Sequence, residues 1–250
     1  LRWDILRLWS EVKEGILRIT RKQGKTITAI GVDTWGVDFG LFDEKGAIIS
    51  APYAYRDKRT DGMMEKAFER LSREHIFEQT GIQFLQLNSL YQLLAMVLDN
   101  APEFKIAKTF LTMPDIINYW LTGDTVSEFT IATTTQCYDP KKRKWAYPLL
   151  EAMGIPTQIF GEIVSAGTYL GKVTKQLSEE LNTQASVVAP ACHDTGSAAA
   201  AVPSTHDDIV WISSGTWSIL GTNVKSPIIN EQSLAYNFTN EGGVGNTFRL

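Results

Sequence analysis

Apolar residues recur at helical spacing in four regions of the chain, which predicts four amphipathic helices. The first three have their apolar positions within 5–17, 64–71 and 90–98. The fourth begins near Pro114, a residue that fits the first turn of a helix, continues through Leu121, and is expected to end at Gly123. These spacings predict that helices make up much of the middle of the chain.

Other regions carry the β-branched and alternating pattern of strands. Thr26–Val32, Val37–Phe42 and Ala47–Ser50 are predicted strands, and the last two are joined by an Asp43–Gly46 turn. We therefore expect a β-meander here, with a further short strand at Ser186–Ala189. Strands mixed with helices predict an α/β domain with a mixed sheet.

A second unit is expected after the alanine-rich helix at 198–201. The polar stretch Pro203–Asp208 has the composition of a linker, and Ile209–Leu220 has the pattern of a β-hairpin. The glycine-rich stretch Glu241–Asn246 near the end is expected to be flexible. We accordingly divide the chain into domains at 1–202 and 203–250. We expect the first to lack its opening segment, because the chain starts inside a helix, and the second to be unfinished.

Composition narrows the classes of function. The 250 residues include 24 Lys and Arg against 28 Asp and Glu, a formal charge of -4, and the isoelectric point is near 5.5. This balance argues against a nucleic-acid partner, which requires a basic surface. No apolar run reaches the roughly 18 residues of a membrane helix, so no membrane association is expected. The two cysteines, Cys137 and Cys192, show no CxxC pairing, which fits a reducing cytoplasm.

Two motifs that would indicate nucleotide chemistry are incomplete. Gly24-Lys25-Thr26 resembles the end of a P-loop, but Ile19 stands where the loop requires its first glycine. The triplet also lies between a helix and a strand, the reverse of the P-loop order. The sequence contains no GxGxxG, so a nicotinamide-dependent enzyme is disfavoured.

His193-Asp194-Thr195 is a candidate site because it follows a predicted strand and precedes a helix. Ligand chemistry in open α/β sheets concentrates at such strand ends. The alternative is that Asp194 or Thr195 only caps the helix. A metal site formed by His193 with Cys192 or His206 lacks a known ligand spacing and is disfavoured.

Two further segments have features of ligand-binding turns. Asp33-Thr34-Trp35-Gly36 combines a carboxylate, an aromatic plate and a glycine at a strand end, although core packing explains Trp35 equally well. Ser213-Ser214-Gly215-Thr216 offers hydroxyl and backbone N–H groups suited to phosphate, although an ordinary hairpin turn has the same composition.

Taken together, these segments resemble the FGGY family of carbohydrate kinases. The block 31–43 is similar to that of the family's L-rhamnulose kinases, more than to its glycerol or xylulose kinases. The resemblance continues in order along nearly the whole chain, through the blocks 55–60, 81–84, 88–93, 113–115, 121–123, 132–136, 193–195, 213–218 and 239–243.

The resemblance implies a ribonuclease-H-like fold of the actin and hexokinase type, with flanking helices around a mixed sheet. By this resemblance, 1–202 is a sugar-binding domain without its first phosphate loop, and 203–250 opens an ATP-binding domain with its first hairpin. The implied cofactors are ATP and Mg²⁺, and the implied acceptor is L-rhamnulose or a related ketose. On this basis the 250-residue stretch alone is expected to be inactive.

The resemblance also implies roles for individual residues. Asp194 matches the catalytic base; Gly36, His193, Asp194 and Thr195 match sugar contacts; and Thr216 matches a nucleotide-phosphate contact. Two alternatives stay open: a related kinase for fuculose or xylulose, or a non-catalytic sugar-binding module. The sequence leaves the oligomeric state open.

Overall fold

The structure is a computed structural model that describes residues 1–204, 206, 209–215 and 217–250. Helices are distributed along the whole chain. They are α1 Ile5–Leu17, α2 Met63–Phe68, α3 Arg73–Thr80, α4 Ser89–Leu98, α5 Glu103–Ile106, α6 Met113–Thr122, α7 Phe129–Thr134, α8 Tyr147–Ala152, α9 Lys175–Leu181, α10 Asp194–Ala200 and α11 Glu231–Ala235.

The strands are short and belong to several sheets. They are β1 Ala29–Ile30, β2 Phe39–Phe42, β3 Thr109–Thr112, β4 Ser127–Glu128, β5 Tyr138–Asp139, β6 Lys144–Trp145, β7 Ile163–Val164, β8 Thr168–Lys172, β9 Ser186–Ala189, β10 Val210–Ser214, β11 Ser218–Val224, β12 Glu241–Gly242 and β13 Phe248–Arg249.

Helix ends follow the capping chemistry of the sequence. The Asp4 side chain accepts a hydrogen bond from the Arg7 N–H at the start of α1. Pro114 lies in the first turn of α6, and Gly123 ends that helix with a left-handed backbone at φ 91°. The predicted helices at 5–17, 64–71, 90–98 and 114–121 are thus confirmed, with small shifts at their ends.

A mixed three-stranded sheet has the order β1-β9-β8. β1 runs parallel to β9, with Ala29 opposite Ser186, whereas β8 is antiparallel to β9. The predicted strand Ser186–Ala189 is confirmed as β9. The parallel pair places the carboxyl ends of β1 and β9 at the same edge of the sheet.

The antiparallel pair β2–β3 separates two apolar clusters. Phe39, Leu41 and Phe110 pack into a cluster with α2, α3, α4 and α8, whereas Phe42 and Leu111 pack into a second cluster with α1, α6, α9 and β9. This division follows from the period of two along a strand, which sends alternate side chains to opposite faces.

The predicted meander is only partly correct. The turn at Asp43–Gly46 and the return at Ile48 are present, since the Ile49 N–H bonds to the Leu41 carbonyl at 2.9 Å. β2, however, pairs with β3, about 70 residues later in the chain, and the expected strand at Thr26–Val32 is reduced to β1. Long-range pairing of this kind is decided by packing, which local sequence does not encode.

The region after 209 forms its own sheet, with the order β10-β11-β13-β12. The predicted hairpin is present as β10 and β11, which pair from Val210↔Thr222 to Ser214↔Ser218. β12 packs on α7, and a Cβ on Gly242 would come within 2.8 Å of the Phe129 ring. The proposed domain boundary at 202/203 stays a prediction. Within the described part of the chain, no helix is long and apolar enough to cross a membrane.

Candidate active site

Two loops meet where β1 and β9 end. Thr34 and His193 form a parallel backbone bridge. The Thr34 N–H donates to the Cys192 carbonyl at 3.0 Å, and the Asp194 N–H donates to the Thr34 carbonyl at 2.9 Å. These bonds bring the block 33–36 beside His193 and Asp194. The structure therefore places two of the segments selected from the sequence side by side.

Asp194 is the first residue of α10, and its side chain is 56% exposed. Its Oδ1 accepts hydrogen bonds from the Thr195 N–H at 2.6 Å and the Thr195 hydroxyl at 3.2 Å. The N-cap of α10 is His193, which makes no side-chain capping bond, so neither Asp194 nor Thr195 is the cap that the alternative interpretation expected. The Asp194 carboxylate instead bonds the next residue of the first turn, and more than half of its side chain is accessible to a ligand. Thr195 itself is buried.

The backbone N–H groups of Cys192 and His193 are hydrogen-bonded to two buried side chains at the start of α7. The Glu128 Oε2 accepts from the Cys192 N–H at 3.1 Å, and the Thr130 hydroxyl oxygen accepts from the His193 N–H at 3.1 Å. Burial raises the pKa of Glu128 above its usual value, although hydrogen bonds to its carboxylate oppose this. Its Oε1 is buried with no hydrogen-bond partner among the described residues.

His193 lies in a network of charged side chains. Its Nδ1 is 3.0 Å from the Glu241 Oε2 and 3.1 Å from the Arg249 Nη2, and these two groups are themselves 3.1 Å apart. On the other side of the ring, Nε2 lies 3.4 Å from the Asp194 Oδ1. Burial acts to raise the pKa of Glu241, but the charges and hydrogen bonds of His193 and Arg249 outweigh it and lower the pKa to about 2.

Gly36 is in close contact with α7. A Cβ at this position would come within 3.1 Å of the Thr134 hydroxyl oxygen, which also accepts a hydrogen bond from the Val37 N–H at 3.2 Å. Val37 has a positive φ of 67°, which is uncommon for a β-branched residue. The loop backbone is therefore held in a strained conformation next to the site.

Asp38 follows this loop in the chain and is fully buried. It accepts hydrogen bonds from the indole N–H groups of Trp3 at 2.7 Å and Trp35 at 2.9 Å, and from the Gln92 amide at 3.1 Å. Burial raises its pKa, and the donated bonds act in the opposite direction. Trp35 thus has a structural hydrogen bond, which supports the packing interpretation of that residue.

The structure brings together four of the five predicted site residues: His193, Asp194 and Thr195 at the start of α10, and Gly36 on the adjoining loop. The fifth, Thr216, lies outside the described residues. The nearby Ser214 and Ser218 hydroxyls are 2.9 Å apart at the end of the β10–β11 hairpin.

Sequence reasoning missed Glu241, Arg249 and Glu128 as parts of the site. Glu241 belongs to a stretch that we expected to be flexible, whereas its first two residues make specific contacts in the structure. The Gly242 N–H donates to the Thr133 hydroxyl oxygen at 2.8 Å, and Glu241 pairs with charged groups. The sequence signal for Glu241 was a charged residue flanked by Asn240 and two glycines. No nearby residue in the sequence indicates that this glutamate contacts His193.

Over 1–204, 206, 209–215 and 217–250, no group of three or more His, Cys, Asp or Glu side chains could hold a metal ion. Cys137 and Cys192 are buried free thiols. Burial raises the pKa of Cys137 to about 12 and that of Cys192 still further, so neither has the character of a reactive thiolate.

Comparison with solved structures identifies the class of fold. Xylulose kinase from Lactobacillus acidophilus matches 100% of this chain and 50% of its own with a TM-score of 0.89 and 18% sequence identity. Glycerol kinase from Plasmodium falciparum, solved with ADP, matches 100% of this chain and 52% of its own with a TM-score of 0.84 and 16% identity. The chain has the ribonuclease-H-like fold of the sugar kinases, as the resemblance implied.

The family follows from the sequence. Residues 1–201 match the model of the N-terminal domain of the FGGY family of carbohydrate kinases, and the chain belongs to this family. Rhamnulokinase from Halalkalibacterium halodurans is 43% identical over 99% of this chain and 53% of its own length. Rhamnulokinase from Bacteroides thetaiotaomicron is 41% identical over 99% of this chain and 51% of its own. The chain thus spans about half the length of these curated relatives.

Proposed function

We propose that this chain is part of a sugar kinase that transfers the γ-phosphoryl group of ATP to the 1-hydroxyl of L-rhamnulose. The observation that carries the proposal is the exposed Asp194 carboxylate, held by backbone hydrogen bonds at the shared end of β1 and β9. The identity of about 40% to two proteins named rhamnulokinase supports this acceptor.

In this proposal Asp194 acts as the general base. Phosphoryl transfer depends mainly on positioning and charge neutralisation, and a carboxylate orients the acceptor hydroxyl and takes its proton. The hydroxyl oxygen bonds to the γ-phosphorus, the bond to the β-bridging oxygen breaks, and ADP leaves with that electron pair. Gly36, His193 and Thr195 are proposed contacts that hold the ketose against the base.

The nucleotide is proposed to approach from the side of the β10–β11 hairpin, with Thr216 as a phosphate contact. Mg²⁺ is proposed to arrive with ATP, held mainly by phosphate oxygens, water and a carboxylate. The described residues contain no cluster that fits a resident metal, so no step is assigned to the ion. We accordingly propose that 1–202 is the sugar-binding domain and that 203–250 is the start of the nucleotide-binding domain. The enzyme is proposed to be cytoplasmic.

The proposal is tested by substrate selectivity in the gene product that contains this chain, hereafter the full-length protein. ADP release is measured with ATP, magnesium and each of L-rhamnulose, L-fuculose, D-xylulose and glycerol. L-Rhamnulose should give the highest kcat/KM, because a site built to bind particular hydroxyls leaves buried groups unpaired with other sugars. A higher kcat/KM for fuculose or xylulose would instead favour a related ketose kinase. Ketose binding without turnover would indicate a non-catalytic module.

A further inference from the structure

The charged pair Glu241 and Arg249 contacts His193 at a single ring nitrogen, Nδ1. Both side chains are largely buried: the Arg249 side chain is 4% exposed and that of Glu241 is 15% exposed. They lie on neighbouring strands, β12 and β13, beyond the boundary proposed for the sugar domain. Glu241 and Arg249 are thus distant in sequence from His193 but are the hydrogen-bonding partners of its Nδ1.

The hydrogen-bonding capacities of the three groups define the state of the ring. A guanidinium only donates and an ionised carboxylate only accepts. When the imidazole is neutral, its Nδ1 lone pair can accept from Arg249, and the proton then resides on Nε2. When the ring is protonated, the Nδ1–H can donate to Glu241, and Nε2 again carries a proton. The pair can therefore satisfy Nδ1 in both charge states while Nε2 is a donor in both.

The remaining tautomer is disfavoured by Asp194. A neutral ring protonated at Nδ1 could donate to the Glu241 Oε2 at 3.0 Å, so Glu241 and Arg249 compete for Nδ1. That tautomer, however, would leave the Arg249 Nη2 facing an N–H and would turn a bare Nε2 lone pair toward the Asp194 Oδ1, 3.4 Å away. At that distance Nε2–H and Oδ1 make no strong mutual hydrogen bond. A protonated Nε2 can therefore donate to a hydroxyl held next to the carboxylate.

We propose that Arg249 is a positioning residue that fixes the tautomer of His193, so that the ring always presents an Nε2–H donor to the acceptor sugar. Glu241 has a supporting role, because it holds Arg249 beside the ring and balances its charge. This inference rests on the proposed function, since it assumes that His193 contacts the sugar.

The surroundings fix the positions of these groups. The Arg249 Nε donates to the Gly242 carbonyl at 2.8 Å, and its guanidinium lies against Gly196 of α10. The charged groups that face the ring are Asp194 on α10, Glu241 on β12 and Arg249 on β13, with Glu128 and Asp115 behind the adjoining backbone.

The tautomer can be measured without any assay of activity. Long-range ¹H–¹⁵N spectra of the full-length protein resolve the ring protonation of histidines, and the signals that His193→Asn removes identify the His193 ring. When this ring is neutral, wild type should show a protonated Nε2 and a bare Nδ1. Arg249→Met should move the proton of the neutral ring to Nδ1, where Glu241 accepts it. A neutral wild-type ring protonated at Nδ1 would overturn the proposal even if the variant did not fold.

Kinetics of the same proteins test the consequence for the sugar. In Arg249→Met the ketose KM should rise roughly 3- to 10-fold once the ring is neutral, the effect of about one lost hydrogen bond. The KM for ATP and the value of kcat should change little. Wild type should show no such rise with pH. Glu241→Gln should keep the Nε2–H donor, because Arg249 still donates to Nδ1, so its ketose KM should not rise with pH as in Arg249→Met.

Arg7→Met serves as the matched control, because Arg7 is an exposed arginine on α1. A ketose KM in Arg249→Met that follows wild type at every pH, with the fold intact, would overturn the positioning role. A wild-type protein that phosphorylates no ketose would instead refute the proposed function, and the spectra would still decide the tautomer.

Discussion

Asp115 and Glu128 form a pair of buried acids behind the site. Asp115 accepts hydrogen bonds from the Thr112 hydroxyl and from the Glu128 N–H. Burial raises the pKa of Asp115 to about 8, with a smaller upward contribution from Glu128. The folded protein therefore holds a proton on Asp115 that the unfolded chain releases near pH 4.

This difference predicts a pH dependence of stability. Between about pH 4 and pH 8 the folded state binds one proton more than the unfolded state at this residue, so the free energy of unfolding should fall as pH rises. The slope is up to about 1.4 kcal/mol per pH unit, and it should end above pH 8. Asp115→Asn should lack this component. Urea unfolding of both proteins from pH 5 to pH 8 measures it.

Asp124→Asn is the control for this experiment, because Asp124 is exposed. Its unfolding free energy should follow that of wild type across the range. Parallel curves for wild type and Asp115→Asn would contradict the raised pKa.

The sequence predicted the proposed catalytic and sugar-contacting residues better than the residues that hold them in place. His193 and Asp194 stood out because they follow a strand and open a helix. Glu241 and Arg249 had no such context, since their contacts with His193 span 48 and 56 positions. Buried charge networks depend on which chain segments pack together, and this information is not local.

Gly81 and Gly123 both end helices with left-handed backbones, at φ 65° after α3 and φ 91° after α6. At Gly81 an added Cβ would come within 2.8 Å of the Ile229 side chain, whereas at Gly123 it would meet nothing within 4 Å. The Gly81 carbonyl also accepts the Asn240 N–H and side-chain amide, each at 2.9 Å. Gly81 therefore lies where the 228–242 segment docks on α3.

The two glycines give a matched comparison. Gly123→Ala should cost about 1 kcal/mol, the strain of a left-handed alanine. Gly81→Ala should cost about 1 to 3 kcal/mol more, because the contact with Ile229 adds overpacking to the same strain. Urea unfolding of the two variants measures the difference. Equal losses would show that the segment does not pack tightly on α3.

Elements with a strong local signal were predicted well. The helix from Met113 to Thr122 was identified by Pro114, its apolar spacing and Gly123, all of which are features of the sequence itself. The pairing of β2 with β3 was not predictable from the same information, because the strands are linked through several helices. The turn next to β2 predicted pairing with the following strand, whereas packing between the two apolar clusters favours the pairing of β2 with β3.

The whole molecule combines a family domain with a further sheet. The family model covers 1–201, and the relatives are about twice as long as this chain. The β10–β11 hairpin exposes apolar side chains, with Val210, Ile212 and Leu220 each 65% exposed or more. Asn240, Gly242 and Arg249 nevertheless connect the later segment to the first domain through hydrogen bonds. We infer that this segment helps to fix the geometry of the site.

The proposed role of Asp194 as the base of a ketose kinase is tested by Asp194→Asn in the full-length protein. The measurements are kcat with ATP, magnesium and L-rhamnulose, the sugar Kd and the Tm. The amide oxygen can still accept from the Thr195 N–H in the first turn of α10, so Tm should stay close to wild type. Loss of the proton acceptor should lower kcat by roughly 10²- to 10⁴-fold, with a smaller effect on Kd. Near-normal kcat at an unchanged Tm would refute the assignment of Asp194 as the base and leave it with a structural role in the first turn of α10.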